Sequence, residues 1–333
     1  MNTPRPRSHR VAHPWRLRIP AMGSPMFIVS SKELVAEQCK AGIIGAFPSL
    51  NARPESELSL WLSHVQAQID EWNRGSPPWP AAPYAVNLIV HPSNPRLAHD
   101  LEIVCEHESP IVITSLNPPG EVVDRVHAYG GIVLHDVSTL RHARKAVDAG
   151  VDGLVLVCAG AGGHTGSINP MAFTAEARRF FDGLIVLSGC IAEGRQVLAA
   201  QAMGADLAYI GTRFIASHEA NAQASYKNMV VDATAADIVC SDAVTGLPAN
   251  YLVRSFEAAG VDIGTLASRE RRSFSFGKRA DSGEAKAWRD VWSAGQGVGA
   301  VTGIASTAAI VDGLAAEYVQ ALADLERLAG RAT

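Results

Sequence analysis

No apolar run in this 333-residue chain approaches the roughly 20 residues needed to cross a bilayer, so a membrane-spanning helix is not expected. An excess of one charge is missing as well. Lys and Arg number 29 against 33 Asp and Glu, a formal net charge of −4, too weak a field to gather nucleic acid or an anionic lipid surface. Cysteine is sparse: Cys39, Cys105, Cys158, Cys190 and Cys240 are scattered, odd in number and never spaced Cys-x-x-Cys. Neither a metal site nor a redox dithiol is expected, and a reducing cytoplasm is the expected home. The first 16 residues hold four arginines and three prolines but lack the apolar core of a secretory signal. They read as a flexible tail, since Pro4, Pro6 and Pro14 would also interrupt the amphipathic helix of an organelle transit peptide.

What the chain does have is enough apolar sequence, 47% hydrophobic against 19% charged, to bury a large α/β core. Short β-rich runs alternate with amphipathic segments: Leu17–Met22, Ile43–Phe47, Tyr84–Ile89, Ile111–Ser115, Ile132–His135, Gly153–Val157, Leu184–Ser188 and Leu207–Ile210. Runs buried on both faces at this spacing suit a doubly wound sheet or a barrel, and eight of them favour a (β/α)₈ TIM barrel. Ser30 with Glu33 predicts a capping box, and Asn94-Pro95 places proline at a first helical position. Gly42, Gly130, Gly150 and Gly204 stand where left-handed helix ends need glycine.

Beyond the eighth run the alternation stops. The expected organisation is a tail over residues 1–16, a barrel over 17–217 and 286–330, and a smaller, mostly helical insertion over 218–285 that forms a lid above the barrel mouth. Within that insertion Asn221–Val231 reads as helix and Arg269–Gly283 as loop, and Ala305–Leu328 reads as a final helix closing the outer ring.

Ligands of such barrels sit at the C-terminal ends of the strands. There the chain places Met22-Gly23-Ser24-Pro25-Met26, Asn87, His135-Asp136, Ser188-Gly189-Cys190 and Gly211-Thr212-Arg213. Ser188, Gly189, Gly211 and Thr212, with Ala192-Glu193-Gly194 just beyond, predict a phosphate cradle of backbone N–H groups, although such glycines also serve tight turns. The sixth loop, Ala-Gly-Ala-Gly-Gly-His-Thr-Gly over 159–166, is the most specific feature. Its glycines allow close approach to a flat ligand while the His164 imidazole, which titrates near neutrality, can act on a carbon acid. His135 could line the same pocket. A buried Asn87 needs partners that a planar heterocycle would supply, or neighbouring backbone would. Cys158 and Cys190 read as small apolar fillers.

The loop 159–166, the stretch Ser188-Gly189-Cys190-Ile191-Ala192-Glu193-Gly194-Arg195, the segment Gly204 to Phe214 and the run Trp292 to Gly299 together resemble the nitronate monooxygenase family, also called 2-nitropropane dioxygenases. The resemblance implies an FMN-dependent enzyme that passes an electron from an alkyl nitronate to dioxygen, releasing a carbonyl compound and nitrite. It implies His164 as catalytic residue and Ser188, Gly189, Gly211 and Thr212 as phosphate contacts. Contacts to the flavin ring would come from Ala21, Met22, Asn87, Gly162 and Gly163, with Gln296 near the flavin. Asp136 belongs to the same candidate set but departs from the family, which often has a basic residue there. An acid would weaken attraction for an anionic nitronate. Gly-Ser-Pro-Met in place of a double-glycine first loop is a second departure.

Two other readings stay open. One is an NAD(P)H-dependent FMN enoyl-thioester reductase, for which the chain carries no separate dinucleotide fingerprint. The other is a flavin-free barrel for a phosphorylated ligand. The partners expected are a small-molecule substrate and dioxygen, with a homodimer possible and no nucleic acid or membrane.

Overall fold

Eight short strands, seven of them following a helical layer, close on one another in the computed structural model, which describes residues 15–262 and 289–330. They are β1 (Ala21–Gly23), β2 (Gly45–Pro48), β3 (Tyr84–Val90), β4 (Ile111–Leu116), β5 (Ile132–Val137), β6 (Gly153–Val157), β8 (Leu184–Ser188) and β9 (Leu207–Ile210). All adjacent pairs are parallel, in the order β1-β9-β8-β6-β5-β4-β3-β2. A single bridge from Met22 to Ile44 joins the two ends into a TIM barrel. The first strand is shorter and later than the run Leu17–Met22 suggested, because only its last residues reach β9 and β2.

Strand alternation sorts the core into two. Met22, Ile44, Ala46, Ala85, Ile111, Ile113, Leu134, Val155, Leu184, Val186, Leu207 and Tyr209 pack inside the barrel, while the residues between them face the helices. Some helices begin on side-chain caps. Ser31 Oγ accepts from Leu34 N at 3.1 Å to start α1 (Lys32–Lys40), one residue later than the predicted box. Asn94 does not start a helix with Pro95 at its first position. Its carboxamide accepts from Arg96 N at 3.1 Å in a turn before α3 (Leu97–Glu106). Gly42, Gly130, Gly150 and Gly204 take φ of +91°, +84°, +85° and +109°, the left-handed helix ends expected of them.

The described part of 218–285 is mixed rather than mainly helical. It holds α9 (Ala224–Asp232), α10 (Val253–Ala258) and an antiparallel pair, β10 (Ile238–Ser241) with β11 (Ala249–Leu252). Strand β11 also pairs with β7, the two residues Gly163–His164 of the sixth loop. The predicted loop Arg269–Gly283 lies outside the described residues. The last helix, α11 (Thr307–Ala329), packs against α1 and against α7 (Gly194–Met203). Among the described residues no helix is long and apolar enough to cross a membrane.

Candidate active site

At the C-terminal end of the barrel every strand contributes one more inward residue above the apolar interior: Ser24 just past β1, Pro48, Asn87, Ser115, Asp136, Val157, Ser188 and Tyr209. All of them line a cavity of about 1230 Å³. Its floor is therefore a single layer set by period-two alternation, and it is mostly polar.

The floor carries one directed chain of hydrogen bonds. Asn87 Nδ2 donates to Ile113 O at 3.2 Å and to Ser115 Oγ at 2.8 Å, and Ser115 Oγ donates to Asp136 Oδ2 at 2.6 Å. Asn87 thus spends its amide on protein groups, the bland alternative of the sequence reading. Asp136 Oδ1 and Tyr209 Oη are buried and have no hydrogen-bond partner among the described residues. Burial lifts the Asp136 pKa from 3.8 to about 6 against the Ser115 hydrogen bond. Burial also holds the Tyr209 phenol well above its usual pKa, helped by the Asp136 charge. The acid predicted to repel anions is therefore one that gives up its proton reluctantly.

The rim is the sixth loop. Residues Gly160–Thr165 line the cavity, and the insertion grips them: Thr165 N donates to Pro248 O at 3.0 Å and Asn250 Nδ2 to Ala161 O at 2.7 Å. His164 Nε2 lies 3.3 Å from Thr245 Oγ1, which donates its own proton to Leu247 O at 3.0 Å. Nε2 is therefore the donor, and Nδ1 is the basic nitrogen of the ring. Surrounding protein lowers the His164 pKa to about 4, so the imidazole is neutral at pH 7 although solvent reaches it through the opening.

The glycines of this loop answer to the protein before any ligand. A Cβ on Gly162 would stand 2.8 Å from Gly295 N, and one on Gly160, at φ +86°, would stand 2.4 Å from Cys190 Sγ. The late segment lies directly on the loop, with Gln296 N donating to Gly160 O at 2.9 Å and Gly295 N to Thr212 Oγ1 at 2.8 Å. Close backbone packing needs these glycines whatever binds.

Of the predicted residues, the cavity gathers His164, Asn87, Asp136, Gly162, Gly163, Ser188, Gly189, Gly211 and Thr212. Gly189 sits at φ +124° with Cys190 following at +59°, a bend that keeps the main chain beside the floor. Ala21 and Met22 are not among the lining residues and are fully buried, Met22 one layer below the floor and Ala21 on the helix side. Because β1 runs to Gly23, Ser24, Pro25 and Met26 take the place expected of them. Gln296 is exposed behind Gly160. His135 points to the helix side of β5, where Thr114 Oγ1 meets its Nδ1 at 2.8 Å, and it does not reach the cavity. Ala192-Glu193-Gly194 do not face a ligand either. Ala192 N and Glu193 N donate to Gln196 Oε1 and Gly194 N to Glu317 Oε2 at 2.6 Å. Cys190 borders the cavity and Cys158 does not; burial raises both thiol pKa values, so neither is a ready nucleophile.

Ser115 and Tyr209 escaped the sequence reading. A signal existed, because Ala85-x-Asn87, Ile113-x-Ser115, Leu134-x-Asp136, Val186-x-Ser188 and Leu207-x-Tyr209 all step from an aliphatic to a polar-tipped residue two positions on.

Comparison with known proteins agrees with this architecture. A family model described as nitronate monooxygenase matches residues 80–317. The Rhodococcus jostii enzyme (3aS,4S,5R,7aS)-5-hydroxy-7a-methyl-1-oxo-octahydro-1H-indene-4-carboxyl-CoA dehydrogenase is 25% identical over 258 residues, 76% of this chain and 69% of that protein. A Mycobacterium tuberculosis protein with a monooxygenase name is 34% identical over 154 residues, 46% of this chain. The chain spans only 41% of that relative's length. The solved nitroalkane oxidase of Streptomyces ansochromogenes superposes with a TM-score of 0.72 at 22% identity, covering 93% of this chain and 98% of that one.

Proposed function

Because the chain belongs to the nitronate monooxygenase family and is an oxidoreductase, we propose that it holds FMN in the barrel mouth and oxidises a nitronate. Dioxygen would be the second substrate, and a carbonyl compound and nitrite the products. The observation that carries this reading is the neutral imidazole of His164 at one end of a continuous cavity whose other end is a polar floor.

The residues fit the cofactor. Ser188, Gly189, Gly211 and Thr212 bring small side chains and backbone to one side of the cavity, suited to a phosphate. Asn87, Asp136, Gly162 and Gly163 border the space for the ring, and two buried polar atoms there still need partners. Bound there, FMN would supply the electron-acceptor chemistry of the oxidation. The protein's part is to position and to manage protons. Nδ1 of His164 is suited to take a proton from a carbon acid, and the ring can stand beside the resulting anion without adding a charge. The strand pair β10–β11 clamps the histidine's backbone, and we assign the insertion over 218–285 the role of lid.

One observation supports the thioester alternative. Ligand pockets usually measure roughly 300–1,000 Å³, and about 1230 Å³ leaves room for a substrate larger than a small nitronate. The Rhodococcus relative is named for a carboxyl-CoA substrate. Purified protein mixed with FMN should bind it and turn yellow, then take up oxygen when an alkyl nitronate is added. Anaerobic bleaching by NADH with no response to nitronate would replace the leading reading with the reductase. A protein that stays colourless would leave the flavin-free phosphate barrel.

A further inference from the structure

The carboxyl group on the barrel floor is held through one oxygen. Ser115 Oγ receives a hydrogen bond from Asn87 Nδ2 and gives its own proton to Asp136 Oδ2. With Oδ2 already accepting, a proton carried by the carboxyl group sits on Oδ1. Among the described residues Oδ1 is buried without a partner, and so is Tyr209 Oη on β9, which β8 and β6 separate from β5 in the sheet. Both are then O–H donors on residues that line the cavity, and among the described residues neither meets an acceptor. Leaving two such donors unmet is costly, and an acceptor from a ligand would repay both.

We propose that protonated Asp136 and Tyr209 form a two-donor site on the barrel floor for an oxygen acceptor of the bound ligand, a carbonyl or an oxyanion. The inference rests on the flavin reading, with a ring carbonyl of FMN as the acceptor. A neutral acid and a phenol acting together on one oxygen are established chemistry for dry pockets. The site differs from a cationic one in that it works only while the acid keeps its proton. Burial favours that state, as it does for the phenol. The rest of the floor layer, Ser24, Pro48, Asn87, Ser115, Val157 and Ser188, brings no charge to it. Arg53, Arg96, His142 and His164 stand in the cavity walls, where a shared background acts on every variant alike.

FMN affinity, read by fluorescence quenching from pH 5 to 8, tests the site in wild type, Asp136→Asn, Asp136→Ala and Tyr209→Phe. The asparagine can accept from Ser115 and still donate, at any pH. Relative to Asp136→Asn, wild type should lose about tenfold or more in affinity as pH rises past 6, the worth of one buried hydrogen bond. The FMN phosphate titrates nearby, but it does so equally in both proteins and cancels in the ratio. Tyr209→Phe should bind about tenfold more weakly at every pH. Asp136→Ala should bind weakly even at pH 5, and if it fails to fold the asparagine comparison still decides. A pH-independent ratio of wild type to Asp136→Asn, or Tyr209→Phe binding like wild type, overturns the two-donor site alone. Wild type that binds no FMN at any pH removes the flavin reading and this inference with it.

Discussion

The rim and the floor of the cavity are only one loop apart, yet they treat polar groups differently. At the rim, β7 is zipped to β11, Asn250 holds Ala161 O, and the glycines fit against the 293–297 segment. On the floor, Asp136 Oδ1 and Tyr209 Oη have no partner among the described residues. A rim satisfied by protein keeps its shape before anything binds, which is what a positioned imidazole requires. A floor with unmet donors loses stability that a ligand can restore. The contrast teaches that neither burial nor a missing partner marks a functional polar group by itself, since among the described residues Gln38, Ser109 and Thr174 also carry buried atoms without partners away from the cavity; the two together at a cavity wall do. His135 and Asp136 are neighbours on β5; the first is buried with its Nδ1 partnered, while the half-buried second has a buried Oδ1 without a partner among the described residues.

Four substitutions or titrations would break or sharpen this contrast. The largest effect should come from His164→Ala, which removes the base proposed at the rim and should lower the oxidation rate by about a hundredfold or more while FMN still binds. A loss under tenfold in oxygen uptake would take the proton-transfer role away from the rim. The floor should announce itself through pH. Burial moves Asp136 from 3.8 to about 6, so between those values the folded chain keeps a proton that the unfolded chain releases. Stability of the FMN-free protein should therefore be greatest below pH 4 as far as this group is concerned, and fall by up to about 3 kcal/mol as pH rises to 6 and beyond. Urea unfolding at several pH values should show this component in wild type and not in Asp136→Asn.

Gly162→Ala should cost about 1–3 kcal/mol, because the added Cβ meets Gly295 N and Ala294 C at 2.8 and 3.0 Å, both backbone. Chemical denaturation measures it, and an unchanged midpoint would mean that the rim can yield. The smallest effect, and opposite in sign, is expected for Tyr209→Phe without FMN: removing an unpartnered buried hydroxyl should stabilise the protein by about 1 kcal/mol. Destabilisation would mean that the hydroxyl is satisfied on the floor after all.

Much of the barrel was legible because its signals are local. Aliphatic runs gave seven of the eight strands close to their observed limits, and the four glycines at helix ends are demanded by backbone conformation within a few residues. His164 was legible through the glycines around it, although those glycines turn out to accommodate a distant segment of the chain. What was not legible depended on pairing at a distance. β7 consists of a glycine and a histidine, poor strand formers that pair only because β11 arrives from the insertion. Ala21 and Met22 were misplaced because the end of β1 is set by its contacts to β9 and β2, not by its own composition.

By itself the sequence determined the alternation of each strand, the ends of several helices and the flexible backbone around one histidine, since these follow from covalent geometry and near neighbours. Period two states that His135 and Asp136 face opposite ways. Only barrel closure decides that Asp136 is the one turned inward, together with Ser115 and Tyr209 from other strands. Whether a buried polar atom finds a partner is a property of what the fold brings beside it, and that choice was made by the tertiary structure.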